Sequence, residues 1–546
     1  MAADSTAQQG PFPSSEGDAG GARTPLPPEY AERTVPAVLE RCVGNGAERP
    51  ALIAASPTRG EVTLGFGEIQ AEAARIGGGL RALGVGFGDR VGALLSNRAA
   101  VEANLLMHGV HRIGAIIVPM NVRSSEAELA WSLEAAGCGI VVYEAALADK
   151  VRGLRALAPA GTVFVGVDCE LDSVDPPWSA VAEHERVEQV GLSEHDQAGW
   201  VFTSGTTGYP KIVSHTHLTS VGCGIQTAEG WGFGPGDRCL NGFPFFTASG
   251  TNTAPMSTLW AEAVNVVEPS FDPATTLERI EKHAITHIYW LTPMISLVLR
   301  SGLLEGADLS SARRLLYGGQ GMPAEFHLEV DDVFAVGRGL ELVHMMGLSE
   351  AGPSGIMLDP EHHRERPGAI GSRGFGRELT RYSLRDPETG AEVGPGESGE
   401  LCYRCPSVMA GYVGAPEETE KALAGGWLHS GDLCRYDEDG FVYFVDRTKD
   451  VIRRGGINIA SAEIERVVMG HDEVAEAAAV PHPHDVLGEV VKVVVVRAPG
   501  STLDEEAVIA YAAGLLADYK VPRVVEFIDE LPRNDMGKVT KTALRG

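Results

Sequence analysis

Two short apolar runs bracket one helical stretch, and that order constrains the fold more than any other feature of the chain. "DRVGALLS" and "GAIIVPM" read as buried strands, and "VEANLLMHGVHRIG" between them carries apolar residues at helical spacing. A strand, a crossover helix and a second strand make a parallel pair, because parallel neighbours need a long connection. The pattern returns in "CGIVVYE", "GTVFVGVD", "ITHIYWLTP" and "SARRLLYGGQG", while "FGEIQAEAARIGGGLRALG" reads as an amphipathic helix. No repeat of fixed period is visible. The expectation is an α/β fold: a large, multi-sheet N-terminal domain with parallel strands and crossover helices.

The 546 residues exceed what one core usually supports, so a second domain is expected. Beyond "GFVYFVDRTKDVIRRGGINIA", which looks like a β-meander, the pattern changes. "SAEIERVVMG" is a helix with Ser461 as candidate cap, "VVKVVVVRA" a strand, and "DEEAVIAYAAGLLADY" a helix. This reads as a small α+β C-terminal domain, with the break near Arg447–Lys449. The predicted organisation is a loosely ordered tail over 1–28, a core domain over 29–448 and a C-terminal domain over 449–546.

Composition excludes several classes. Acidic residues outnumber basic ones by 74 to 45, a net charge of −29 that disfavours nucleic acid and anionic membranes. No apolar run approaches the roughly 20 residues of a membrane helix. The N-terminal "MAADSTAQQGPFPSSEGDAGG" lacks the basic and apolar regions of a secretion signal. Only Cys402 and Cys405 among the eight cysteines form a C-x-x-C. With no second pair or nearby histidine in sequence, they read as buried structural thiols in a reducing cytoplasm.

The chemistry begins at "TSGTTGYPK", Thr203 to Lys211. Hydroxyls and free N–H groups suit an anion, and glycines let backbone approach it closely. It is not a Walker loop, because Tyr209 and Pro210 separate Gly208 from Lys211 and Ile212 follows. Composition alone leaves a phosphate loop and a plain Gly/Thr turn both open.

The order of residues resembles the signature loop of the adenylate-forming superfamily of acyl-CoA synthetases, peptide-synthetase adenylation domains and luciferases. Further stretches resemble its other motifs in the same order: "PFFTASG", "YGGQGMP", "MMGLSE", "GELCYRCPSVMAGY", "WLHSGD", "VDRTKDVIRRGGINIASAEIE" and "LPRNDMGKVTK". The resemblance is strongest to acyl- or aryl-CoA ligases. It implies that an acid is activated by ATP as an acyl-adenylate and then passed to a thiol.

The resemblance also implies roles. Thr203, Ser204, Gly205, Thr206, Thr207, Gly208 and Lys211 would cradle phosphates, and Lys211 would act in catalysis. Gly319, Gln320 and Gly321 would form the adenine loop, with Met346, Gly347 and Ser349 beside it. Glu350 would hold Mg²⁺, and Asp432 and Arg447 would meet the ribose. Lys538 would bridge carboxylate and α-phosphate. The C-terminal domain would be mobile, with Lys449 as hinge and Gly455 and Gly456 lining a thiol channel. Phe246, Thr247, Gly250, Gln320, Met322 and Met346 would line the acid pocket.

Three departures fall near that pocket. Thr247 replaces a histidine or aromatic residue, Gln320 a small residue, and Met346 an aromatic one. Polar Thr247 and Gln320 facing the carboxylate would suit a small or polar acid, or an oxyacid such as nitrite. The paired glycines favour coenzyme A as acceptor. A separate carrier protein or another nucleophile, a homodimer, and a nucleotide-binding protein without catalysis remain open alternatives.

Overall fold

The computed structural model describes residues 21–168, 175–203, 210–319, 322–454, 457–534 and 537–545. The first apolar run becomes strand Arg90–Leu94, flanked in parallel by Ile116–Pro119 and Ile140–Glu144, with Val163–Val167 beyond. Helix Ala100–Arg112 makes the crossover. Gln197–Phe202 and the antiparallel Ile212–Thr216 extend this seven-stranded sheet, and Gly411–Tyr412 closes its edge. Helix Phe66–Ala82 packs over it through its glycine run. A Cβ on Gly79 would lie 2.4 Å from Val181 Cα, so a side chain there would push the two backbones apart.

A nine-stranded sheet holds the parallel strands Arg238–Asn241, Val264–Val267, His287–Leu291, Arg314–Gly318 and Glu341–Gly347. The segments Pro244–Gly250, Gly319–Pro323 and Ser349–Glu350 all follow the carboxyl ends of these strands, where ligands bind in open α/β sheets. A third sheet is antiparallel and five-stranded. It contains Ser398–Arg404, Leu428–Tyr436 and Val442–Arg447.

The stretch read as one meander divides between two sheets. Val442–Arg447 belongs to the third sheet, and Ile452–Arg454 with Ile457–Ile459 opens the fourth. In that last sheet Val474–His484, Gly488–Arg497 and Val524–Phe527 lie beside helices Ser461–Met469 and Glu505–Ala513. The chain therefore changes sheet between Arg447 and Ile452.

Two expectations need correction. The tail is not loose as far as Pro28. Ala22 and Leu26 are buried, and Thr24 N and Cys405 N bond Cys405 O and Ala22 O respectively; residues 1–20 lie outside the described residues. Ser461 is not the helix cap. Ala460 holds that position, and the Ser461 hydroxyl donates to Asp446 Oδ2, joining the fourth sheet's first helix to the third sheet. His363 is fully buried. Among the described residues no helix is long and apolar enough to cross a membrane.

Candidate active site

The base of the phosphate loop is closed by two bonds. Thr203 N donates to Lys211 O at 2.9 Å, and Lys211 N donates to Thr203 Oγ1 at 3.2 Å. Ser204, Gly205, Thr206, Thr207 and Gly208 lie outside the described residues. Lys211 Nζ sits 2.5 Å from Glu418 Oε2 and 4.6 Å from the centre of the Tyr412 ring. The Tyr412 hydroxyl donates to Glu350 Oε1 at 2.7 Å. One aromatic ring thus ties the loop lysine to the expected metal-binding carboxylate.

Glu350 stands on the short turn Ser349–Ala351, fixed from two sides. Met409 N donates to Glu350 O at 2.7 Å. His215 Nε2 lies 2.9 Å from Ser349 O, which can only accept, so Nε2 carries the proton. Burial pushes His215 down to about 4, against the opposing pull of that carbonyl, and the ring is neutral at pH 7.

The two residues expected to meet the ribose face each other across a ladder. Asp432 on Leu428–Tyr436 pairs with Arg447 on Val442–Arg447. Asp432 is buried, and Arg447 Nε approaches its Oδ1 to 2.7 Å without the alignment of a hydrogen bond. Burial raises Asp432 to about 6, while the charges of Arg447 and then Lys538 pull it back. Glu400 Oε1 accepts from Gly431 N at 2.8 Å, and Ser430 Oγ accepts from Asp432 N at 3.0 Å, fixing the turn.

Lys538 arrives from the C-terminal module. Its backbone is pinned to Asn534, with Lys538 N donating to Oδ1 at 2.9 Å and Asn534 N donating to Lys538 O at 2.8 Å. The residue is open to water, but protein crowds its ammonium. Desolvation lowers its pKa below the usual lysine range, Arg447 adds to this, and Asp432 opposes it. The charges of two third-sheet residues and of a C-terminal loop lysine therefore act on one another.

Gly319, expected in the adenine loop, has φ +89°, a left-handed conformation that disfavours any side chain. Gln320 and Gly321 lie outside the described residues. Just before them, Tyr317 is buried among His327, His344 and His363. The Tyr317 hydroxyl is 3.0 Å from both His327 Nε2 and His363 Nδ1, and His344 stacks on its ring at 4.9 Å. Sequence reading missed this cluster.

The pocket residues are less unified than expected. Phe246 is buried, Met322 packs into the core under Trp290, and Met346 packs against a different cluster. Gly250 is obligatory, since a Cβ there would fall 2.1 Å from Pro244 O. The Thr247 hydroxyl does not offer its proton to an acid. It donates to Pro244 O at 2.8 Å and accepts from Gly250 N at 3.0 Å, shaping the π-helical turn Ser249–Thr253. Tyr289, which stacks on Phe243 with centroids 4.0 Å apart, places its hydroxyl 3.4 Å from Ser249 Oγ. A small cavity is lined by His111, Trp200, His215, Asn252 of that turn and Met256.

Lys449 sits where the chain changes sheet. Arg545 Nη2 donates to Lys449 O and to Asp450 Oδ1, both at 2.7 Å. Gly455 and Gly456 lie outside the described residues, between the paired strands Ile452–Arg454 and Ile457–Ile459.

Residues 39–413 match the family described as AMP-binding enzyme, and residues 463–538 match the AMP-binding enzyme C-terminal domain. The chain belongs to the AMP-binding enzyme family. It is similar to a feruloyl-CoA synthase of an Amycolatopsis species, 35% identical over 89% of this chain and 94% of that protein. It superposes on ATP-bound MatB from Rhodopseudomonas palustris with a TM-score of 0.80, at 28% identity, over 93% of this chain and 98% of that one. For the o-succinylbenzoate CoA synthetase of Bacillus subtilis, in complex with its acyl-adenylate, the TM-score is 0.81 at 26% identity, with the same coverage.

Proposed function

We propose that this family member is an AMP-forming acid–CoA ligase whose substrate is an aryl acid. It activates the acid as an acyl-adenylate, releasing pyrophosphate, and transfers the acyl group to coenzyme A. The observation that carries the reading is the buried Asp432 carboxylate with Arg447 Nε 2.7 Å from its Oδ1, close enough to the C-terminal module's Lys538 for the two charges to act on each other.

A carboxylate attacking a phosphate is one anion approaching another, so positioned cations govern the rate. Lys538 would hold the acid carboxylate against the α-phosphate, and its lowered pKa makes it a strong donor. Asp432 Oδ1, buried and without a hydrogen-bond partner, suits a ribose hydroxyl. Lys211 and the Thr203–Gly208 loop would meet the outer phosphates. Glu350 is the oxygen donor that would hold Mg²⁺, a hard cation that neutralises phosphate charge when bound. Gly319 and the two residues after it would pass close to adenine.

The aryl class rests on the likeness to a relative named for a feruloyl product. After adenylation, a rotation at Lys449 would withdraw Lys538 and bring the Gly455–Gly456 segment to the adenylate, where a pantetheine thiol attacks. The acceptor assigned is coenzyme A, with a carrier-protein arm as the second candidate of the same chemistry. The location assigned is the cytoplasm, where ATP and coenzyme A are at hand and free buried thiols persist.

Acid-dependent exchange of labelled pyrophosphate into ATP, run across hydroxycinnamates, benzoates, short acids and nitrite, tests the first half-reaction. Hydroxycinnamates or benzoates should support the fastest exchange, and a thioester mass should appear on adding coenzyme A. Exchange with nitrite alone would overturn the substrate class.

A further inference from the structure

We propose that Glu400, Cys402 and His429 form a binding site for a thiophilic divalent cation such as Zn²⁺ on the third sheet. Glu400 and Cys402 are two apart on strand Ser398–Arg404, so their side chains share one face. His429 is the direct cross-strand partner of Cys402 on Leu428–Tyr436. His429 Nδ1 lies 3.5 Å from Cys402 Sγ and 2.7 Å from Glu400 Oε2, and the three ligand atoms all fall within 4.8 Å of one another. A tetrahedral zinc with Zn–S of about 2.3 Å and Zn–N of about 2.0 Å sets its sulfur and nitrogen roughly 3.5 Å apart. The sulfur and nitrogen already stand at that separation, while the carboxylate must open by a few tenths of an ångström.

The surrounding groups suit ligation. His429 Nε2 is 3.3 Å from Ala424 O and Nδ1 is 2.7 Å from the Glu400 carboxylate, both of which only accept, so a metal takes the Nδ1 position by displacing its proton. Glu400 Oε1 accepts from Gly431 N, which leaves Oε2 facing the site. Cys402 is fully buried, whereas the His429 side chain is 24% exposed and gives the entry path. Arg385 is the opposing charge, acting on both Cys402 and His429. A hard cation held by charge alone is disfavoured there, and an ion that bonds thiolate sulfur is selected.

On binding, the Cys402 thiol gives up its proton, and so does His429 Nδ1 when the ring is charged. M²⁺ thus replaces up to two protons, and water fills the fourth position. The same Glu400 fixes the turn that carries Asp432, so ligation should also reach nucleotide binding. That consequence rests on the ribose role proposed for Asp432, whereas the site itself does not.

Titration of the full chain with Co²⁺ after chelator treatment tests the site without any activity readout. We expect a near-ultraviolet thiolate-to-cobalt band that saturates at one equivalent and is displaced by Zn²⁺. Cys402→Ser should abolish it, and the half-exposed His429→Gln should weaken Co²⁺ affinity by about tenfold or more. The band should survive Cys405→Ser and Cys434→Ser. No band in the wild-type chain, or one unchanged in Cys402→Ser or in His429→Gln, overturns the site. Saturating Zn²⁺ should raise the KM for ATP in the wild type and not in His429→Gln; an unchanged KM overturns the coupling while leaving the site standing.

Discussion

The two walls of the candidate nucleotide site are built on opposite principles. Behind the adenine loop, Tyr317, His327, His344 and His363 are buried and neutral, with burial lowering the histidines to about 3, about 4 and about 2. Their protons are directional: His327 Nδ1 accepts from Gly368 N, so its Nε2–H faces His363 Nδ1 at 2.8 Å, while His344 Nδ1 meets Ala369 O at 2.9 Å. On the ribose side, Asp432, Arg447 and Lys538 gather charge instead. The first wall fixes a shape and the second fixes an electric field. Substitutions on the first should therefore act on stability, and those on the second on rate and nucleotide affinity.

The contrast can be broken most strongly at Lys538. Lys538→Ala should slow adenylation by about 10²-fold or more, as expected for a lost transition-state charge contact. Its melting temperature and the thioester formed from a preformed adenylate should change little. Single-turnover assays of each half-reaction check this, and equal losses in both would remove the distinction between the two steps.

Asp432 should give the next effect. The carboxylate is needed as an acceptor, and it protonates as pH falls through about 6. ATP affinity in calorimetry should weaken below that pH. Asp432→Asn should raise the Kd for ATP by about tenfold, the value of about one charge-assisted hydrogen bond, and should flatten this limb.

On the neutral wall, His327→Ala should lose about 2–4 kcal/mol of unfolding free energy in urea, because partners on Tyr317, His363 and Gly368 are stranded. The sign of the pH dependence follows from the lowered pKa values. The unfolded chain takes up protons near 6.5 while the folded histidines do not, so stability is full above that pH and declines below it. Thermal melts from pH 7.5 to 5 should show this decline, and His327→Ala should show less of it.

His215→Leu should act on metal dependence, because the Ser349–Glu350 turn loses one anchor. We expect a several-fold higher Mg²⁺ requirement with kcat little changed, and recovery in His215→Gln. Glu418→Gln should have the smallest effect. The Lys211–Glu418 pair is half-exposed, and such pairs are worth about 0–1 kcal/mol. Freeing Lys211 should lower the KM for ATP no more than about fivefold.

Much of the fold was legible because its signals are local. The strand–helix–strand order over Asp89–Met120 survives in the structure. What was not legible depends on register. Tyr317, His327, His344 and His363 come from separate elements and meet only when the parallel strands align. His429 looks remote from Cys402 in sequence, yet the antiparallel ladder makes them neighbours. Thr247 was read as facing an acid because a residue type says nothing of where its hydroxyl proton goes. Ser461 looked like a helix cap, but an interdomain carboxylate, Asp446, competes for it.

The central claim is that one site caps an acid with AMP and then transfers it to a thiol. Mass spectrometry of a single reaction with ATP, Mg²⁺, a hydroxycinnamate and coenzyme A tests it most directly. An acyl-adenylate that accumulates without coenzyme A and converts to acyl-CoA on its addition is the predicted result. AMP release with neither species formed, or acyl-CoA formed without pyrophosphate, would contradict it.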